Sequence, residues 1–299
     1  MTNEASKAEA SRLARKGASR RGASILELET IAARIRRNVL EICRQRGGYA
    51  AQGVALADIA ATLYFDEMRP DGKGGFLDRF VLSNGHDAIM TYGALAESGH
   101  YLMEELKTIN ADGSWIDQSP IEGQLGFEIT AGSLGQGPSQ AAGLAWALRR
   151  QRSDARVYCL FSDGELQEGN VWEAAMFAGH QGLSNLCYLI DNNDMQASGP
   201  TGKIMSVEPV DAKFEAFGFK TRRIGGRDIA GLIEAFEEAR ATDDKPFVMI
   251  CDTRLWDGID CLQKALALAH FTAKDAVDWD EGLAEIEAGI ERLEAKRNG

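Results

Sequence analysis

The chain has 299 residues, 44% of them hydrophobic, and its 45 Asp and Glu outweigh 33 Lys and Arg to leave a net charge of -12. That length and apolar share suffice for one large core, or one domain with appendages, and the negative balance argues against nucleic acid or an anionic membrane as a main partner. No apolar stretch reaches membrane-spanning length, no secretory leader is expected, and the five cysteines (Cys43, Cys159, Cys187, Cys251, Cys261) lack any C-x-x-C spacing, so a reduced cytoplasm is the expected compartment. Residues 1–24 interleave Lys7, Arg12, Arg15, Lys16, Arg20 and Arg21 with Ala, Ser and Gly, as a flexible basic leader does. Over 25–44, Ile25, Leu28, Ile31, Ile35, Val39, Leu40 and Ile42 make a helical stripe, and a second helix over 56–65 and a loop over 70–75 follow. A helix after His86, a turn-rich stretch over 111–124 and a helix over 136–150 come next.

Val157-Tyr158-Cys159-Leu160-Phe161 and Leu186-Cys187-Tyr188-Leu189-Ile190 have the composition of buried strands in a parallel sheet, apolar on both faces. Between them Val171, Trp172, Ala175, Met176 and Ala178 recur at helical spacing, which completes a strand-helix-strand unit. A strand near Phe219, a helix over 228–240 and a last strand over 247–251 follow, and the tail from Asp275 alternates acids with Leu, Ile and Ala as a solvated helix would. Cys159, Cys187 and Cys251 fall in the predicted strands, where a free thiol serves as a small hydrophobe. The expected fold class is α/β, a doubly wound, mostly parallel sheet flanked by helices. The expected division is a leader at 1–24, the α/β domain at 25–272 and an acidic helical tail at 273–299.

The most informative stretch is Phe161-Ser162-Asp163-Gly164-Glu165, followed by Asp191-Asn192-Asn193-Asp194. An acid leaves one strand at its carboxyl end and an amide-rich turn leaves the next, and in an open α/β sheet both ends face one ligand crevice. A carboxylate from Asp163 with an amide oxygen from Asn193 suits a hard divalent cation such as Mg2+, with Ca2+ or Mn2+ as substitutes. Gly164 lets a phosphate approach the backbone, and the following helix start offers aligned N–H donors. A metal-bridged diphosphate site is the natural reading.

This pattern resembles the thiamine-diphosphate motif. Asp163-Gly164-Glu165-Leu166-Gln167-Glu168-Gly169 with Val171-Trp172-Glu173-Ala174-Ala175 is similar to the N-terminal half of transketolase, especially the form split into two subunits. Phe80-Val81-Leu82-Ser83-Asn84-Gly85-His86, Gly132-Ser133-Leu134-Gly135-Gln136-Gly137 and Phe214-Glu215-Ala216-Phe217-Gly218 match further family segments in family order. The resemblance runs from about residue 35 to about 253. It implies thiamine diphosphate as cofactor, with Met195 adding a backbone carbonyl to the metal set and with Gly132, Ser133, Leu134, Gly164 and Glu165 around the cofactor. It places His86, and at a family-like distance His270, beside the cofactor and the donor, while Glu168 and Glu173 fall at family positions of a proton relay between paired sites. His100 and His180 match no role and are expected at the surface or in helices.

Departures from the family pattern bear on the substrate. Tyr49, in Gly48-Tyr49-Ala50-Ala51-Gln52-Gly53, stands where a donor-binding histidine is usual, and Ser119-Pro120 replaces a His-Pro pair. Ser162 replaces the usual Gly before the metal aspartate, and Arg254-Leu255-Trp256-Asp257-Gly258 replaces a glycine-rich loop. A site built to hydrogen-bond a hydroxyl discriminates strongly, so the loss of two histidines implies a different donor or acceptor. The family's activating glutamate lies on a second, pyrimidine-binding domain for which this chain shows no segment. The resemblance therefore implies a separate C-terminal subunit, an α2β2 heterotetramer and ketol transfer between small-molecule donor and acceptor. The alternatives are a 2-keto acid decarboxylase or carboligase subunit with the same cofactor, and a non-catalytic cofactor-binding scaffold.

Overall fold

The structure is a computed structural model that describes residues 22–264 and 270–298. Most of the basic leader expected at 1–24 lies outside the described residues. Contacts divide the chain into two compact units of interleaved segments, one comprising 22–76, 86–118 and the residues after 253, the other comprising 77–85 and 119–253.

The second unit holds a five-stranded sheet of β1 (Arg79–Leu82), β2 (Val157–Ser162), β3 (Leu186–Asn192), β4 (Lys220–Gly225) and β5 (Phe247–Asp252), in the spatial order β1-β2-β3-β5-β4. Every adjacent pair is parallel, as the two-sided apolar strands required. Alternate residues (Val157, Cys159 and Phe161 on β2, Tyr188 and Ile190 on β3, Val248 and Ile250 on β5) share one core layer, following the two-residue period of a strand. Small side chains on α3 (Gln136–Arg150) and α4 (Gly169–His180), namely Ala141, Ala145, Ala175 and Ala178, let both helices lie close against that layer. On the opposite face Tyr158 meets Phe236 of α5 (Ile229–Ala241), with ring centroids 5.8 Å apart, so helices cover both sides. Gly179 fixes how α4 leaves the layer, because a Cβ there would stand 1.7 Å from the carbonyl oxygen of Phe217.

The first unit is helical. Its α1 (Ile25–Cys43) starts at a reciprocal cap, Ser24 Oγ accepting from the Glu27 N–H and the Glu27 carboxylate from the Ser24 N–H. α2 (Ala88–Glu97) packs along it. The helix expected at 56–65 begins earlier, at Ala50, breaks at Leu56, resumes over Ala57–Thr62 and widens into π-helical turns over Leu63–Glu67. Burial of nearly every residue in this stretch leaves no polar face to carry the amphipathic period that marks a helix in sequence. The acidic tail helix, α6 (Trp279–Asn298), buries Trp279, Gly282, Ile286 and Ile290 against the unit instead of being solvated all round. Arg34 and Arg44 of this unit pair with Glu294 and Asp280 on its polar face. His100 is likewise buried, its ring held by Ser98 Oγ at 2.7 Å and the Gly74 carbonyl at 2.9 Å. Among the described residues no helix is long and apolar enough to cross a membrane.

Candidate metal and cofactor site

At the carboxyl end of β2, Ser162 has ordinary extended dihedrals (φ -93, ψ 165), so replacing glycine there costs no strain. Asp163 follows it into a short 3-10 turn over Asp163–Gln167 and is almost wholly buried. Its Oδ2 accepts from the Asp194 N–H and from Thr201 Oγ1, both at 3.0 Å. Its Oδ1 is buried and has no hydrogen-bond partner among the described residues. Burial first, and then the neighbouring Asp191 carboxylate, push the Asp163 carboxyl up to about 7. A buried acceptor with spare lone pairs and a suppressed charge is what a metal cation would relieve.

At the end of β3, Asp191 orients the neighbouring amide. Its Oδ2 takes the Asn193 Nδ2 at 2.6 Å, and its Oδ1 takes the Thr253 hydroxyl. A carboxylate only accepts, so the amide nitrogen of Asn193 must face it and Oδ1 must turn away. That Oδ1 receives the Met195 N–H at 2.8 Å and keeps a second lone pair. Met195 opens a two-residue pairing with Pro200, which brings Thr201 back toward Asp163. Among the described residues no group of three His, Cys, Asp or Glu side chains is gathered to hold a metal. Any cation here would rest on one carboxylate, one amide and backbone oxygen, a set suited to a small hard ion that keeps water and phosphate ligands.

Glu165 organises the polypeptide around this end of the sheet. It is fully buried, with Oε1 accepting from Ser83 Oγ at 2.5 Å and the Gly135 N–H at 2.8 Å, and Oε2 from the Ser162 N–H at 2.8 Å and Asn84 Nδ2 at 3.2 Å. Its carboxylate thus ties the ends of β1 and β2 to the glycine turn. Within that turn the Gly132 N–H donates to the Ser83 carbonyl at 3.1 Å, and Gly135 has a left-handed φ of 77°. A Cβ at Gly137 would stand 2.4 Å from that of Ser83, so the start of α3 can approach β1 only as glycine. Gly132, Ser133 and Leu134 are exposed beside this bracket, and Ser119 Oγ borders Gly85 and Gly132. Gly164 is half-buried. Glu168 and Glu173 are both exposed, Glu168 at the N-terminal cap of α4 and Glu173 one turn into it.

The first unit carries a second cluster. Gly48 and Thr272 pair as an antiparallel bridge, with N···O distances of 3.0 and 2.8 Å, and bring 270–272 beside Tyr49. The Tyr49 ring lies 5.3 Å from that of His86, 5.2 Å from His270 and 5.5 Å from Phe271, while His86 and His270 are 5.1 Å apart. Burial and then the His86 charge hold the His270 imidazolium below its usual range. The structure thus gathers Asp163, Asn193, Met195, Gly164 and Glu165 in one unit with Gly132, Ser133, Leu134 and Ser119. It gathers Tyr49, His86 and His270 in the other. Asp191, Thr201, Thr253 and Phe271 were not singled out from the sequence. Only Asp191 left a signal there, as the acid opening the amide-rich run.

Residues 29–275 match the family model described as transketolase, thiamine diphosphate binding domain. The chain is 43% identical over 271 residues to an uncharacterized transketolase family protein of Sinorhizobium fredii, covering 89% of this chain and 97% of that protein. It is 32% identical to one of the subunits of the apulose-4-phosphate transketolase of Phocaeicola vulgatus, covering 91% of this chain and 98% of the relative. The solved transketolase from Leishmania mexicana superposes with a TM-score of 0.75 at 27% identity, covering 92% of this chain but 46% of that one. The chain thus spans somewhat under half of that solved transketolase and nearly all of the Phocaeicola polypeptide.

Proposed function

This chain belongs to the transketolase family, as its thiamine diphosphate binding domain, and from that premise we propose that it is the N-terminal subunit of a two-component enzyme transferring a two-carbon ketol unit. The observation that carries the reading is the buried Asp163 Oδ1 at the end of β2, without a partner among the described residues, in the same unit as the oriented amide of Asn193. Asp163, Asn193 and the Met195 carbonyl would hold Mg2+ (Ca2+ or Mn2+ in its place), and the metal would hold the cofactor diphosphate. Gly164 would leave room for that diphosphate, Glu165 would hold the glycine turn through its hydrogen bonds, and Gly132, Ser133 and Leu134 would line the aminopyrimidine. When bound, thiamine diphosphate supplies the carbon nucleophile for C–C cleavage and formation. By family position His86 and His270 would hydrogen-bond the donor, and Glu168 and Glu173 would relay protons between paired sites.

A separate pyrimidine-domain subunit would supply the activating glutamate, in an α2β2 heterotetramer working in the cytoplasm. The Phocaeicola relative is named for apulose-4-phosphate, which supports a non-standard sugar phosphate as donor or acceptor. Tyr49 and Ser119 in place of histidines support the same direction, and they also favour, as the second reading, a 2-keto acid donor. A non-catalytic scaffold is disfavoured because Asp163, Asn193 and His86 are all retained. Co-purification with the pyrimidine-domain subunit, followed by assays with ketose phosphates and with pyruvate-type donors, tests the proposal. The pair should turn over with Mg2+ and cofactor while this chain alone should not. Turnover by the purified chain alone would refute the division of labour, and decarboxylation without ketol transfer would favour the second reading.

A further inference from the structure

Gln52 lies on the short helix Ala50–Ala55 and is 2% exposed. Its Nε2 stands 3.0 Å from the backbone carbonyl oxygen of His270 and 3.3 Å from that residue's Nδ1. A backbone carbonyl can only accept, so the atom facing it is the amide nitrogen and the orientation of the amide is settled chemically. The same NH2 group then faces Nδ1, and an NH2 group can only donate. Nδ1 must be the acceptor, which leaves the ring proton of neutral His270 on Nε2. The amide keeps this orientation although its Oε1 is buried and has no partner among the described residues. Leaving a buried acceptor unmade is costly, so the amide is placed for its donor end.

We propose that Gln52 is a positioning residue that fixes His270 as the neutral imidazole with the proton on Nε2, so that His270 meets a ligand as a hydrogen-bond donor to an oxygen and not as a base. That this oxygen belongs to the donor substrate rests on the function proposed above; the control of the ring by Gln52 does not. Two further features point the same way. The Gly48–Thr272 bridge ties the chain two residues beyond His270 to the residue before Tyr49, in the same segment as Gln52. Among the described residues the titratable groups whose rings face His270 are Tyr49 and His86, and burial together with His86 already disfavours the imidazolium.

The test is imidazole 15N NMR on the full chain at about pH 8, where an ordinary histidine is neutral, with the His270 signals assigned by their loss in His270→Gln. In the wild type Nδ1 should show the shift of an unprotonated, pyridine-like nitrogen and Nε2 that of a protonated one. In Gln52→Glu, of the same shape but facing Nδ1 with an acceptor, the proton should move to Nδ1 and the His270 midpoint should rise. A protonated Nδ1 in the wild type overturns the proposal, and so does a Gln52→Glu chain that folds yet keeps the wild-type pattern. If that variant does not fold, the wild-type spectrum alone decides. Because the measurement needs no turnover, its failure is distinct from a failure of the carboligase assignment.

Discussion

At the carboxyl end of β2 burial holds the Asp163 carboxyl up at about 7, whereas in the first unit burial holds the His270 imidazole down. Both regions suppress charge, but with different partners. Asp163 has one oxygen bonded by Asp194 and Thr201 and one with no hydrogen-bond partner among the described residues, beside a second carboxylate. His270 sits against Tyr49, His86, Phe271 and the Gln52 amide, an environment suited to a neutral ring. On the function proposed above, one region would gain a metal and the other would present neutral hydrogen-bonding groups.

The sharpest way to break this contrast is Asp163→Ala. It removes the only carboxylate of the proposed ligand set, and magnesium-dependent cofactor binding by the assembled enzyme should fall by at least about 1000-fold, roughly 4 kcal/mol. Calorimetry showing near-normal affinity would mean that the metal rests elsewhere. Next in size is the buried Arg36–Asp58 pair of the first unit, whose two side chains are 4% and 6% exposed. Asp58→Asn leaves the guanidinium buried against a neutral group and should cost roughly 3 kcal/mol of stability. Chemical denaturation should show that loss, while an unchanged midpoint would show that the pair is relaxed by solvent.

A pH experiment separates the two environments more finely. The Asp163 carboxyl is raised in the folded state, so the stability that it contributes to the metal-free chain is full below about pH 4 and is lost as pH rises through about 7. Asp163→Asn, which never charges, should therefore stand well above the wild type in stability at about pH 8 and by a smaller margin at about pH 5, where the unfolded carboxyl is already ionised but the folded one is not. The difference should be on the order of 2 kcal/mol. Equal gains at both values would contradict the assignment of the shift to Asp163. The smallest effect concerns the donor. Tyr49→His with Ser119→His should shift the ratio of kcat/KM toward ketose phosphates by about 1 kcal/mol for each hydrogen bond recovered. Efficient wild-type turnover of common ketose phosphates would show that other groups already make those contacts.

What could be read beforehand follows the same division. Asp163 and Asn193 sit in contiguous motifs at the ends of two apolar strands joined by one helix, and the structure pairs β2 with β3 in parallel. Strand β4, half-exposed along its length, was expected only as a strand near Phe219, whereas β2, β3 and β5, with α3 and α5, were legible from their apolar patterns. The role of Glu165 was not, because its partners Ser83, Asn84 and Gly135 come from segments whose meeting depends on the tertiary fold. The link between Gln52 and His270 spans 218 residues and rests on the bridge from Gly48 to Thr272, for which no local pattern exists. The buried face of the tail helix was masked by its acids, which occupy the outer face and pair with Arg34 and Arg44.

The central claim, that this chain supplies the metal and diphosphate half of the enzyme through Asp163, is tested most directly by locating the ion. Crystals of the assembled enzyme grown with Mn2+ and thiamine diphosphate should give an anomalous peak within about 2.2 Å of Asp163 Oδ1, with Asn193 Oδ1 and the Met195 carbonyl in the same coordination sphere. A peak bound to other residues, or cofactor density with no ion against Asp163, would contradict the account.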